Sequence, residues 1–119
     1  MLNLNSVILF SDAPKKLVEF YKKILGKSDW SGGEFVGFAA GKGYLIIGPH
    51  DKVHGKNSHP ERIMMNFETK DVKKEFNRIK GLGAKVIAKP YQPMEDPDEW
   101  VATFADSDGN YFQLISPMK

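Results

Sequence analysis

Cysteine is absent from the 119 residues of this sequence. The chain therefore forms neither a disulfide nor a thiolate metal site, and cysteine usage says nothing about its compartment. An excess of one charge is also missing, because 17 basic and 15 acidic residues leave a net charge of only +2, with no basic run. We therefore expect no nucleic-acid partner.

Long apolar stretches are missing as well. No segment approaches the roughly 20 apolar residues that a membrane-spanning helix needs, so we expect no membrane partner. The first ten residues, MLNLNSVILF, lack a basic leader and are typical of a strand rather than a signal peptide. The resulting expectation is a cytoplasmic protein with a single domain over residues 1–119.

The sequence contains one order of elements written twice. In each half a strand precedes an amphipathic helix, a closing glycine and further strands, and the two helical segments are SDAPKKLVEFYKKILG and TKDVKKEFNRIKGLG. Module one spans about residues 1–49, a polar linker about 50–60, and module two about 61–119. This order predicts an α+β fold of two tandem βαβββ modules, with a curved mixed sheet around a cavity and helices on the outer face.

Turn residues and apolar spacing place the individual elements. Helices are predicted to start at capping residues and to end at glycines, from Ser11 or Asp12 to Gly26 and from Thr69 or Asp71 to Gly83. Strands are predicted at residues 2–10, 35–39, 44–47, 62–68, 85–88, 100–105 and 111–115.

The acidic pentapeptide DSDGN, residues 106–110, has the composition of an ion-binding loop. An EF-hand loop, however, needs oxygen ligands at positions one, three and five, glycine at six and glutamate at twelve. Here Gly109 follows Asp108 directly, and no glutamate closes the loop. Because Asp, Asn and Gly each favour tight turns, the pattern predicts a turn between two strands.

Four segments in this order resemble the vicinal oxygen chelate superfamily: EFYKKILG (19–26), NFETKDV (66–72), GAKVIAKP (83–90) and FADSDGNYFQL (104–114). That superfamily includes glyoxalase I, extradiol dioxygenases, fosfomycin-resistance enzymes and bleomycin-resistance proteins. The resemblance covers nearly the whole chain, with one departure, since Ser107 stands where the last family motif has proline. It is specific for the fold and not for a reaction.

In metal-dependent members of the superfamily, four side chains converge on one ion, two from each module. The resemblance places these positions at Asn5, at Leu45 or Ile47, at Met64 and at Gln113. A shift of one residue would put Ser6 in place of Asn5. Hard divalent ions prefer carboxylate oxygens or imidazole nitrogens, which none of these residues supplies. The resemblance therefore implies a ligand pocket with no metal and no cofactor.

Other candidate pocket residues follow from strand alternation. Tyr111 shares a strand face with Gln113, and Arg62 and Asn66 share one with Met64. Arg62 would suit an anionic ligand, although a surface arginine is an equally good interpretation.

The remaining candidate pocket residues are His50 and Trp100. The segment that holds His50, His54 and His59 is polar and rich in turn residues, which favours a solvated linker. His50 directly follows a predicted strand and could lie at the cavity rim. In the resembled family a loop at the position of residues 95–99 can border the cavity mouth, which would make Trp100 and Tyr91 an apolar lid.

These observations favour a metal-independent protein that binds a small aromatic or amphipathic molecule, similar to bleomycin-resistance proteins. The resemblance also implies a homodimer. The alternative is a glyoxalase-like or dioxygenase-like metal enzyme, which would need His50 or Glu61 to enter the site. A third hypothesis is a domain without a ligand, or a subunit that regulates a partner. The sequence does not decide whether a reaction is catalysed.

Overall fold

The computed structural model describes residues 1–118 and divides the chain into two compact units. The first unit is Met1–Gly55, and the second begins at Lys56, so the boundary falls inside the predicted linker. The first unit contains β1 (Ser6–Phe10), α1 (Pro14–Leu25), β2 (Trp30–Gly32), β3 (Phe35–Ala40) and β4 (Gly43–Gly48). Its sheet has the order β1-β4-β3-β2, in which β1 and β4 are parallel and the other neighbours antiparallel.

The second unit repeats this topology. It contains β5 (Met65–Glu68), α2 (Val72–Gly81), β6 (Lys85–Tyr91), β7 (Val101–Ala105) and β8 (Tyr111–Ile115). The sheet order is β5-β8-β7-β6, again with one parallel pair, β5 and β8. The predicted α+β fold of two tandem modules is therefore confirmed, and each module carries an open four-stranded mixed sheet. The cavity remains a prediction.

Helix α1 begins at Pro14, whose fixed φ suits a first helical position. Neither predicted capping side chain caps it: the Ser11 hydroxyl accepts the Ala13 N–H at 2.9 Å, and the Asp12 carboxylate accepts the Gly55 N–H at 2.7 Å. The helix ends at Gly26 as predicted, because φ is +89° there, a conformation that favours glycine.

Helix α2 follows its sequence signals closely. The Asp71 carboxylate accepts the Lys74 N–H at 3.0 Å, which is the predicted N-cap. Val72, Phe76 and Ile79 recur at helical spacing and are buried, so the predicted inner face is confirmed.

Each helix covers one face of its own sheet. In the first unit Leu17 and Tyr21 of α1 are fully buried with Phe38 and Ile47 of the sheet. In the second unit Phe76 of α2 stacks on Phe104 with ring centroids 5.2 Å apart, and Phe104 stacks on Phe112 at 5.7 Å. Burial of such side chains contributes about 1.5–3 kcal/mol each, so these two helix–sheet layers form the cores.

Several strand bounds differ from the sequence prediction. Strand β1 starts at Ser6 and not at residue 2, and β5 starts at Met65 and not at residue 62. The chain before β5 is turned instead, with the Arg62 N–H donating to the His59 carbonyl at 3.2 Å. Strand β2 was not predicted, since WSG is too short to show alternation, and β6 extends to Tyr91.

No helix within residues 1–118 is long and apolar enough to cross a membrane.

Candidate functional site

A line of uncharged polar side chains crosses three neighbouring strands of the second unit. Asn66 of β5 is the register partner of Gln113 of β8, and Gln113 is the partner of Thr103 of β7. Register partners project from the same face of a sheet. We call Asn66, Gln113 and Thr103 the polar row. Their strand neighbours Phe112 and Phe104 are buried on the opposite, helix-covered face.

A hydrogen bond orients the centre of the polar row. The Gln113 Nε2 group donates to the Thr103 hydroxyl oxygen at 3.1 Å. Thr103 is only 4% exposed, whereas Gln113 is half-buried. Such a bond is worth about 1 kcal/mol, and the nitrogen is the end of the amide that points at Thr103. The Gln113 carbonyl oxygen is thereby left as an acceptor on the far side.

The DSDGN segment sets this register. The Asp106 N–H donates to the Asn110 carbonyl at 2.8 Å, and the Asp106 carboxylate accepts the backbone N–H groups of Asp108 and Asn110. Gly109 has φ of +80°, as the turn requires. The predicted turn is therefore confirmed. It pairs Ala105 with Tyr111, which two residues further along brings Thr103 opposite Gln113.

The other predicted pocket residues of the second unit do not all lie on the sheet face that carries the polar row. Alternation places Tyr111 on the face of the polar row, together with Met64, the residue that precedes β5. Arg62 lies in the bend before the strand and is exposed. The predicted strand face shared by Arg62 and Met64 is therefore not formed, because the chain turns at His59–Arg62.

Trp100 lies on the helix side of the second sheet. The Lys73 ammonium of α2 sits 3.8 Å from the centroid of the Trp100 ring, a cation–π contact. The Trp100 backbone N–H donates to the Ser116 hydroxyl at 2.9 Å. The structure therefore does not bring Trp100 to the polar row. Tyr91, the other predicted lid residue, is exposed at the end of β6.

In the first unit the predicted position Asn5 comes just before β1. Val7 and Leu9 pair with Leu45 and Ile47, which are 2% and 0% exposed on the helix-covered face. Alternation puts Asn5 on that same side and Ser6 on the other, so the open face of this sheet carries Ser6.

Aromatic rings cover the open face of the first sheet. A Cβ added to Gly37 would lie 2.3 Å from Trp30 Cε2, and one added to Gly48 would lie 2.3 Å from Phe35 Cδ1. Each ring therefore occupies the space that a Cβ would fill at a glycine, and Gly37 is the register partner of Trp30. Trp30 nevertheless remains 43% exposed.

His50 extends this aromatic surface. Its ring contacts Phe10 edge-on with centroids 5.0 Å apart, and Phe10 in turn contacts Phe35 at 6.3 Å. The His50 Nδ1 atom accepts the Lys52 N–H at 3.1 Å. We call Phe10, Trp30, Phe35 and His50 the aromatic face.

The residues present do not fit a divalent metal ion. Within residues 1–118 no three His, Asp or Glu side chains come close enough together to hold one. Glu61, His54 and His59 are all exposed. The amide of Gln113 is already engaged by a neutral hydroxyl, and Leu45 and Ile47 face the helix. Hard ions need carboxylate or imidazole donors, which this arrangement does not supply.

One feature of each unit was missed at the level of sequence. Thr103 could have been found, because Thr103 and Gln113 are equally distant from the DSDGN turn and must pair if the turn closes a hairpin. No comparable sequence pattern predicted the position of Trp30, because its contact with Gly37 depends on the pairing of the short strand β2 with β3.

Comparison with known proteins gives a consistent picture. A family model described as a glyoxalase-like domain matches residues 6–115. A search of curated protein sequences found no match. Among solved structures, a glyoxalase/bleomycin resistance protein/dioxygenase family enzyme from Burkholderia phytofirmans PsJN is 19% identical, with a TM-score of 0.76 over 98% of this chain and 100% of that one.

Two further structures share the fold. A genomically encoded fosfomycin resistance protein from Listeria monocytogenes is 20% identical, with a TM-score of 0.70 over 99% of this chain and 93% of that one. A lactoylglutathione lyase from Agrobacterium tumefaciens is 16% identical, with a TM-score of 0.72 over 96% and 92%. At these identities the likeness concerns the fold alone.

Proposed function

Because this chain belongs to the glyoxalase-like family of the vicinal oxygen chelate superfamily, we propose that it binds a small molecule without the divalent metal of its metal-dependent relatives. The proposed ligand is aromatic or amphipathic, as for bleomycin-resistance-type binding proteins. The chain shares its fold with a protein described as a glyoxalase/bleomycin resistance protein/dioxygenase family enzyme. A metal-dependent glyoxalase or dioxygenase reaction is the alternative that the experiments below can reveal.

The observation that carries this proposal is the Gln113–Thr103 hydrogen bond of 3.1 Å. By resemblance, metal-dependent members place a carboxylate at the Gln113 position. In this chain the residue at that position has an amide, whose nitrogen donates a hydrogen bond to the buried Thr103 hydroxyl. An amide so held orients a neutral ligand group, because it offers a hydrogen-bond acceptor without a charge.

The aromatic face, considered by itself within the first unit, supports the choice of an aromatic ligand. Large aromatic side chains offer stacking area with little loss of conformational entropy on binding. Trp30 and Phe10 are 43% and 37% exposed, so part of each ring is available to a ligand.

Fluorescence titration tests the proposal. The protein is titrated with a panel of uncharged bicyclic aromatic compounds, once with EDTA present and once with each of zinc, nickel and manganese added. We expect quenching or a shift of tryptophan emission that is the same under all conditions. Binding that appears only with a metal and is abolished by EDTA would establish the alternative, a metal-dependent site.

We also propose that the protein forms a homodimer. Strand β1 lies at the edge of its sheet, where Ile8 is 45% exposed, and Leu2 and Leu4 in the segment before it are 100% and 88% exposed. An exposed apolar edge strand favours pairing with another chain. Light scattering after size exclusion should give twice the mass of one chain, and a monomer at all concentrations would contradict this proposal. A cytoplasmic location remains a prediction from the sequence.

A further inference from the structure

We propose that the polar row selects a ligand bearing an uncharged amide and discriminates against the matching carboxylate. This inference rests on the proposed function, since it names the chemical class that the metal-free site binds. The row consists of Asn66, Gln113 and Thr103 on three adjacent strands of one unit, and each of its side chains is neutral.

The hydrogen-bond pattern defines what the row offers. Since Gln113 Nε2 donates to Thr103, the Gln113 carbonyl oxygen turns away from Thr103 and can accept a hydrogen bond from a ligand N–H. Within residues 1–118 neither that oxygen nor the Asn66 side chain has a hydrogen-bond partner. Both groups are therefore available to a ligand.

The spacing of the row suits an amide. Asn66 and Gln113 are register partners on parallel strands, and neighbouring strands lie about 4.8 Å apart. The Asn66 amide can donate to a ligand carbonyl while the Gln113 oxygen accepts from the ligand N–H. One planar amide thus meets one donor and one acceptor of the row.

A carboxylate ligand would bind the polar row less well than an amide. It has no N–H for the Gln113 oxygen, and its negative charge would lie against that carbonyl. The row carries no cation, and the next residue of β5 on the same face is Glu68. Arg62, the cation suggested by the sequence, lies in the bend before the strand. Within the row itself an anion therefore meets no opposite charge that could offset the loss of its solvation.

Thr103 acts in this scheme as a positioning residue. It is 4% exposed, and its hydroxyl is the hydrogen-bond partner of the Gln113 amide nitrogen. Thr103→Val keeps the shape of the side chain but removes the acceptor, so the amide becomes free to rotate. Thr103→Ser keeps the acceptor and serves as the matched control.

The test compares 2-naphthamide with 2-naphthoate, which share one ring system and differ in charge. Each is titrated into ¹⁵N-labelled full-length protein with EDTA present, and the side-chain NH₂ resonances of Asn66 and Gln113 are followed. We expect 2-naphthamide to bind about tenfold more tightly and to shift both resonances, as one or two hydrogen bonds would give. Thr103→Val should reduce the preference severalfold, and Thr103→Ser should preserve it.

Gln113→Glu replaces the neutral acceptor by a negative charge, which still accepts the N–H of an amide and repels a carboxylate. The preference for the amide over the carboxylate should therefore rise about tenfold or more for Gln113→Glu and change by less than twofold for Thr103→Ser. Equal binding of the two probes, tighter binding of 2-naphthoate, or no response of either would overturn the inference. A preference unchanged by Thr103→Val and Gln113→Glu would overturn it as well. Metal-free binding itself fails only if binding requires a divalent ion, which the EDTA titration reports separately.

Discussion

Replacement of Gly37 by alanine should force the Trp30 ring off the first sheet. The new Cβ would lie 2.3 Å from Cε2, 2.4 Å from Nε1 and 2.7 Å from Cζ2 of the indole. Carbon atoms in favourable contact are about 3.5–4.0 Å apart. The ring must therefore retreat by more than about 1 Å, and its close contact with the sheet is lost.

The size of the effect follows from what covers the ring. Trp30 is 43% exposed, so more than half of its surface is protected in the folded chain. Loss of roughly 100 Å² of this cover, at about 25 cal/mol per Å², lowers the free energy of unfolding by about 2.5 kcal/mol. Alanine is favoured over glycine in a strand by about 0.5–1 kcal/mol, which leaves a net loss of about 1.5–2 kcal/mol.

Urea denaturation followed by circular dichroism measures this loss, and tryptophan emission reports the exposure of the ring. Gly32→Ala is the matched control, because Gly32 lies in the same hairpin and a Cβ there has no neighbour within 4 Å. We expect its stability to change by less than about 0.5 kcal/mol. If Gly37→Ala is as stable as Gly32→Ala and its emission is unchanged, the placement of Trp30 on Gly37 is wrong.

Two further changes test local features of the second unit. Ser107→Pro should raise the free energy of unfolding by about 1 kcal/mol, because Ser107 is the second residue of a turn and proline is favoured at that position. The turn is closed by a hydrogen bond from the Gly109 N–H to the Asp106 carbonyl, and the buried Ser107 hydroxyl has no partner within residues 1–118. A lower urea midpoint than that of Ser107→Ala would contradict this. Asp71→Ala should lower the free energy of unfolding by about 1 kcal/mol by removal of the α2 N-cap. Asp71→Asn, which keeps the acceptor, should lose much less, and equal losses for the two variants would argue against the cap.

Local signals predicted the helices and the hairpin turn well. Asp71 caps α2 as expected, and Gly109 has the positive φ that a DSDGN turn needs. These features depend on residues within four or five positions of one another, so the sequence contains the information directly. Where a distant partner competes, the prediction is wrong: the Asp12 carboxylate binds the Gly55 N–H and does not cap α1.

The candidate site could be predicted only where strand alternation determines the sheet face from which a side chain projects. Alternation correctly separates Gln113 from the buried Phe112 and Leu114. It also extends to Thr103 once the turn is accepted as a hairpin. Alternation then also puts Trp100, three residues before Thr103, on the opposite face, but its contact with Lys73 depends on where α2 packs and could not be predicted. The prediction that Arg62 lies in a strand was wrong, because the chain turns at His59–Arg62 instead.

The proposal of a metal-free site is tested most directly by the metal content of the protein. The protein is purified without chelator, and its zinc, nickel, manganese and iron are measured by elemental analysis, together with thermal shifts on addition of each ion. We predict far less than one equivalent of any metal per chain and no increase in melting temperature. One equivalent of a divalent ion per chain, with destabilisation on its removal, would contradict the account.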